Sequence, residues 1–403
     1  MKPLATNRKK TSQLGYTFLA VVAVLVVLGA LNHEKLSRLY AVVTLFDEDK
    51  IVNHFSNMDN VMLSAPLVRD GPTDPWPEAR APMPNTFAYD GENLDVEAFL
   101  TDTATTALVV ISDGAIVHEQ YRLGTQQQDQ RISWSMAKSF LSAVLGIAVA
   151  EGQIESLRDP VDKYVPALGD SAYAGVALED VLHMSSGIRF NEDYFDFNSD
   201  INKMGRVLAL GTSMDDFAIS MNERDRDAGT QWHYVSIDTH VLAMVLRAAT
   251  GTTLTDYLSR RLWQPLRTDG DGYYLTDGEG VAFALGGLNM QTRDYARFGQ
   301  LFLNNGSWNG EQVIPADWTE RSTRNSAPGM KRVGQGYGYQ WWLPPEANGE
   351  FYAGGIYGQY IYVNREKGVV VAKNSAHRTF NAPGVRMKTI AFFRSLAAHY
   401  DTE

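Results

Sequence analysis

The chain of 403 residues contains no cysteine. Disulfides, thiolate metal sites, cysteine nucleophiles and a lipid-modified N-terminal cysteine are therefore excluded. Basic charge is also scarce: 36 Lys and Arg stand against 47 Asp and Glu, a net charge of −11. No basic run occurs beyond the N-terminus, which argues against nucleic acid as a partner. The sequence has no G-x-S-x-G elbow, no phosphate-binding loop, no dinucleotide fingerprint and no zinc-protease helix. Its eight His have no ligand spacing. In the acidic stretch from Thr268 to Gly280, Tyr273 stands where a calcium loop needs an acid or Asn. No metal and no cofactor are expected. Internal repeats are absent, and 44% hydrophobic with 21% charged residues is the composition of a folded globular protein.

What is present begins at the N-terminus. Leu14 to Leu31 is a run of 18 residues without a charge, preceded by Lys2, Arg8, Lys9 and Lys10. That length just reaches a bilayer-spanning helix, and the flanking cations predict a cytoplasmic tail over 1–13. The segment 14–31 is thus an anchor, or else a signal peptide with a weak cleavage site at Gly29-Ala30-Leu31-Asn32. Either reading exports the rest to the periplasmic or extracytoplasmic side. Within 32–84, residues 32–65 mix apolar and charged side chains and read as a juxtamembrane helix, and 66–84, which hold six of the 15 prolines, read as an extended linker or irregular chain laid on the surface. The main domain is expected over 85–403.

That domain opens with strand signals. Ala107 to Ile111 is rich in β-branched residues, Asp113-Gly114 is a type I′ turn pair, and Ala115 to Tyr121 alternates. Near the C-terminus, Tyr360–Asn364 and Gly368–Lys373 form a second hairpin pattern, followed by an amphipathic helix from about Val385 to Tyr400. The middle, roughly 133–305, is mostly helical. Ser135–Glu151 is apolar on nearly every face and is expected to be central. The fold class is α/β with an all-helical insertion.

The chemistry-bearing candidate is Ser135-Met136-Ala137-Lys138 at the start of that helix. Residues i and i+3 share a face, so Lys138 is placed beside the Ser135 hydroxyl. A serine needs a base, and burial lowers a lysine's pKa until its amine can serve as one. The helix start also offers free N–H groups to an oxyanion. An S-x-x-K occurs by chance about once in a chain of this length, so context decides. Two further pieces supply it. Tyr234-Val235-Ser236 puts a phenol just before a second helix, where it can relay a proton. Tyr352 to Gln359 carries Gly354, Gly355 and Ile356 just before a β run, where glycines let a substrate approach the backbone.

In this order the three pieces resemble the motifs of the serine β-lactamase/penicillin-binding-protein superfamily, over about residues 90–400. Within it the chain looks most like the class C-like branch, and its Ser-Ser-Gly-Ile-Arg-Phe-Asn-Glu-Asp-Tyr and Gly-Ile-Tyr-Gly-Gln runs are most similar to 6-aminohexanoate-dimer hydrolases. The resemblance implies a β-lactamase/transpeptidase-like fold: an antiparallel sheet flanked by helices, with an all-helical subdomain. It implies Ser135 as acylated nucleophile, Lys138 as base, Tyr234 as proton relay, and the Ser135 and Ile356 amides as oxyanion hole. Which of Lys138 and Tyr234 acts as base in each step stays open. Tyr194 falls where amide-hydrolysing relatives contact the substrate nitrogen. Ser236, Gly354, Gly355 and His377 are further candidates for substrate contact.

The departures carry information. The superfamily's Lys-Thr-Gly-type strand is replaced by Ala353-Gly354-Gly355, so the strand supplies neither cation nor hydroxyl for a substrate carboxylate. Losing such a contact costs roughly 1.5–3 kcal/mol of binding. The sequence therefore points to an exported serine hydrolase of a small, neutral ester or amide. A β-lactamase or D-alanyl-type peptidase is the alternative enzyme, and a non-catalytic envelope ligand-binding protein the alternative outside enzymology. The pattern is silent on oligomeric state.

Overall fold

The computed structural model describes residues 8–330 and 334–401. Residues 1–7 of the expected cytoplasmic tail lie outside the described residues. The chain starts with helix α1 (Arg8–Leu31), which turns by 75° into α2 (His33–Val43). From Tyr16 onward α1 packs against almost nothing, and Phe18, Leu19 and Val26 are each more than 60% exposed. Among the described residues no single helix is long and apolar enough to cross a membrane; only the bent pair passes that test, taken together.

The body is built on a seven-stranded antiparallel sheet. Its strands are β1 (Thr105–Ser112), β2 (Ala115–Tyr121), β3 (Gly336–Tyr337), β4 (Trp342–Leu343), β5 (Glu350–Gly355), β6 (Gln359–Asn364) and β7 (Val369–Ser375). They lie in the order β3-β4-β5-β6-β7-β1-β2, so the two chain ends meet in the middle, with β7 beside β1. The β1–β2 hairpin turns at Asp113 and Gly114, both at positive φ (48° and 75°), as a type I′ turn requires. Side chains alternate along β1. Val109 and Ile111 enter one core while Leu108 and Val110 enter another on the opposite face. Such a strand, buried on both faces, reads as a continuous apolar run rather than an alternating one.

Helices cover both faces. On one side lie α3 (Ala137–Ala150), buried from Ala137 to Ala148, and α6 (Thr292–Leu303); Phe140 and Phe298 stack between them at 3.7 Å. Helix α6 can lie flat on the sheet because of Gly299, where a Cβ would come 2.5 Å from a Val370 methyl. The C-terminal helix α7 (Val385–His399) covers the other face through Ile390, Phe392 and Phe393. The insertion contributes α4 (Asp200–Leu210) and α5 (Ser236–Thr250).

The stretch ahead of the proline-rich segment is packed into the body. Leu45, Ile51, Phe55, Met58 and Met62 are buried in the main core, and Ser64–Leu67 pairs antiparallel with Gly272–Leu275 in a second, four-stranded sheet. The prolines then steer residues 77–81 along the exposed edge of β2, where the Ala79 and Ala81 amides donate to Ile116 and Val117. Proline removes donors from an edge without removing its apolar contacts, so a Pro-rich stretch can be extended and still packed.

Candidate active site

Ser135 sits on a 3₁₀ turn, Trp134–Met136, that runs directly into α3. The preceding Trp134 has φ 44°, a left-handed conformation that costs a non-glycine residue on the order of 1 kcal/mol. The Trp134 ring is held from behind by two N-terminal aromatics, Phe46 at 5.8 Å and Phe55 at 5.7 Å. The same Phe46 stacks on Tyr357 at 4.6 Å, one residue past Ile356. The two backbone turns that border the reacting centre thus share one aromatic support.

Lys138 is buried beneath Ser135. Its Nζ lies 3.1 Å from Ser135 Oγ and donates to the Leu285 carbonyl at 2.9 Å. Burial lowers its pKa to about 7, against the opposing pull of Glu192 and Asp238. The same ammonium lies 5.4 Å from the centre of the Tyr234 ring. Tyr234 is carried by the extended segment before α5, which is pinned by backbone bonds from Trp232 to Pro328 and from His233 to Met184. Burial first, and Glu192 second, raise the Tyr234 phenol, while hydrogen bonds with Ser135 and Ser236 and the nearby Arg386 act the other way. A protonated phenol is therefore held beside Ser135 and Lys138.

β5 closes the site. At Gly355 a Cβ would come within 2.5 Å of the Ser133 carbonyl, so only glycine lets this strand touch the turn that bears Ser135. Among the described residues, neither the Ser135 amide nor the Ile356 amide donates to a loop or turn carbonyl. Both remain available to an oxyanion.

Ser135, Tyr194, Tyr234, Gly354, Gly355 and Ile356 all border one cleft of about 390 Å³. Two expectations need correction. Ser236 does not face the substrate space: its amide and hydroxyl both donate to Glu192, the amide at 3.0 Å. His377 is buried behind the Ile356–Gly358 turn, its amide on the Tyr357 carbonyl and its Nε2 3.0 Å from the Thr379 hydroxyl. Burial, reinforced by Lys373, lowers its pKa to about 4, so it is a neutral packing group rather than part of the cleft wall.

Three cleft features were not assigned from the sequence. Glu192 accepts from Ser236 and also from the Tyr194 hydroxyl at 2.7 Å, and burial raises its pKa. It stands in the Asn-Glu-Asp-Tyr run, where its neighbour Tyr194 drew the attention. Trp342 stacks on Tyr234 at 5.8 Å, whereas Trp341 points to the opposite core against Phe298 and Phe302. Strand alternation around Trp341-Trp342 would have separated the two. Arg386, in the first turn of α7, also lines the cleft, with its guanidinium 4.9 Å from the Trp342 ring.

Comparison with known proteins agrees with this arrangement. The sequence profile described as Beta-lactamase matches residues 95–392. The chain is 30% identical over 335 residues to the 6-aminohexanoate-dimer hydrolase of Paenarthrobacter ureafaciens, covering 80% of this chain and 84% of that one. A Bacillus anthracis structure provisionally named for the same activity superposes with a TM-score of 0.80, at 24% identity, over 88% of this chain and 95% of that one. The penicillin-binding protein homologue of Pyrococcus abyssi gives a TM-score of 0.60 at 19% identity, over 74% and 76% of the two chains. These likenesses to solved structures show the fold.

Proposed function

The chain belongs to the β-lactamase family of serine hydrolases, and on that premise we propose that it cleaves a small ester or amide through an acyl-enzyme on Ser135. The observation that carries the reading is the 3.1 Å approach of Lys138 Nζ to Ser135 Oγ, with the lysine pKa lowered to about 7 at the edge of an open cleft. The neutral amine takes the Ser135 proton as Oγ attacks the carbonyl carbon. The negative charge that develops on the carbonyl oxygen is met by the Ser135 and Ile356 amides. Tyr234, beside the new ammonium, passes a proton to the leaving oxygen or nitrogen. Water then attacks the ester on Ser135, and the same groups act in reverse. In this reading Tyr194 contacts the leaving nitrogen of an amide; its position on the cleft wall and its hydrogen bond to Glu192 support that role. Relatedness to a 6-aminohexanoate-dimer hydrolase supports the amide class.

The reading includes an exported, membrane-anchored protein. It is supported by the uncharged, outward-facing surface of α1 from Tyr16 and by the cations that precede it. The test of the chemistry uses the full chain with a fluorophosphonate probe, beside Ser135→Ala. Labelling of the wild type that vanishes in the variant is expected. An unlabelled but folded wild type overturns the acyl-enzyme.

A further inference from the structure

We propose that Gln359 is a positioning residue for the oxyanion hole, holding the turn that presents the Ile356 amide to the reacting carbonyl. The proposal deepens the acyl-enzyme reading and rests on it. Gly355 and Gln359 are the last paired residues of β5 and β6, so Ile356–Gly358 is the three-residue loop of that hairpin. The loop holds two successive left-handed residues, Tyr357 at φ 59° and Gly358 at φ 85°. A tyrosine keeps that conformation only where its surroundings hold it there. The Gln359 side chain folds back under the loop and does so. It is fully buried, and its Nε2 donates to the Ile356 carbonyl at 3.3 Å, the Tyr357 carbonyl at 3.1 Å and the Ser375 carbonyl at 2.7 Å. The first two bonds fix the peptide planes that follow Ile356. With those planes held on one side and β5 paired on the other, the Ile356 N–H has one direction.

The orientation of the Gln359 amide is set from outside the turn. Along the β6–β7 ladder Tyr360 faces Lys373; two residues further on, Ser375 would face Gly358, which has already left the strand. The Gln359 amide takes the missing place. It donates to the Ser375 carbonyl, and its Oε1 accepts from the Ser375 amide at 3.2 Å. The β7–β1 register shifts at the same point, between Asn374 and Ser375. Such bulges re-aim side chains next to active sites. Asn374 completes the arrangement. Its Nδ2 donates to Gln359 Oε1 at 2.9 Å, and its Oδ1 accepts from the hydroxyl of Thr292, the first residue of α6, at 2.9 Å. All three side chains are buried. Donors therefore run one way, from Thr292 to Asn374 to Gln359 to the turn. An amide turned round at either step would set like groups against each other. None of the three is among the residues that line the cleft, so they act through Ile356 and not on the substrate.

The experiment uses the full chain with 4-nitrophenyl acetate as substrate and phenyl trifluoromethyl ketone as inhibitor. Ser135 Oγ adds to the ketone carbon, its proton passes to Lys138, and the former carbonyl oxygen becomes an alkoxide that needs the hole. Gln359→Met removes the donor at similar length. It is expected to lower kcat for the ester and to raise Ki for the ketone together, each by about ten- to a hundred-fold, with KM nearly unchanged. A merely structural Gln359 would lower Tm and leave kcat and Ki of the folded protein as they are, which overturns the proposal. A loss confined to KM also overturns it. Thr292→Val, which leaves Gln359 in place, carries the test where Gln359→Met does not fold. A smaller parallel change in kcat and Ki, absent from Thr292→Ser, supports the relay, and unchanged values overturn it. Fluorophosphonate labelling reports separately on Ser135. No labelling of the wild type sinks the acyl-enzyme reading, whereas a labelled wild type with unaltered Gln359→Met kinetics sinks the positioning role alone.

Discussion

Replacing Glu192 by Gln should make the enzyme work at lower pH. Lys138 has its pKa lowered from 10.5 to about 7 by burial. At pH 7 about half of it is neutral, against roughly one in three thousand for a solvated lysine. Burial alone would take it lower still; the negative charge of Glu192 is the first of the forces pulling it back. Glu192→Gln removes that charge while keeping the shape and an acceptor for the Ser236 amide. Removing one nearby opposite charge is worth about one pKa unit. The neutral fraction of Lys138 at pH 6 would then rise from about one tenth to about one half. The assay is the second-order rate of fluorophosphonate labelling between pH 5 and 9. The wild type should show a rising limb centred near 7, and Glu192→Gln the same limb shifted to acid by about one unit. A limb that stays in place, or moves to higher pH, would refute Lys138 as the base that limits acylation. A general loss of order in the loop would lower the plateau without moving the midpoint.

Two further outcomes follow from distances and burial. Gly355→Ala places a Cβ 2.5 Å from the Ser133 carbonyl, so β5 must withdraw from the Ser135 turn; labelling should slow about a hundred-fold with the fold retained by circular dichroism. Lys373, fully buried on β7 beside Ser375, has its pKa lowered from 10.5 to about 7 by desolvation. Between those values the unfolded chain holds a proton that the folded one lacks, so stability rises with pH across that window and the penalty is full below it. Lys373→Met should therefore raise Tm at pH 6.5, with the gain shrinking by pH 10; an equal shift at both values would remove the titration argument.

The parts legible in the sequence are those set by short-range geometry. Ser135 and Lys138 are one helical turn apart, and Asp113-Gly114 needs only its own φ angles, so both could be placed before any folding was known. The α/β architecture was legible for the same reason, since strand and helix periods are local. Arg386 and Glu192 were not, because each acquires its role from residues far along the chain: Arg386 from Trp342 and Tyr234, Glu192 from Ser236. Proline content reports backbone conformation and hydrogen-bond donors, and says nothing about the core that Leu45 to Leu67 enters.

The Phe46 stack limits how far this enzyme can be trimmed from its N-terminus. Its ring touches both Trp134 and Tyr357, the neighbours of Ser135 and Ile356 on the two turns that border the cleft. An N-terminal truncation that keeps activity must therefore end ahead of Leu45, within or next to α2. A cut between Phe55 and Asn85 would carry away both rings and leave a domain with its strained Trp134 unsupported. The activity is thereby tied to an intact N-terminal stretch, and trimming past Phe46 should silence the enzyme.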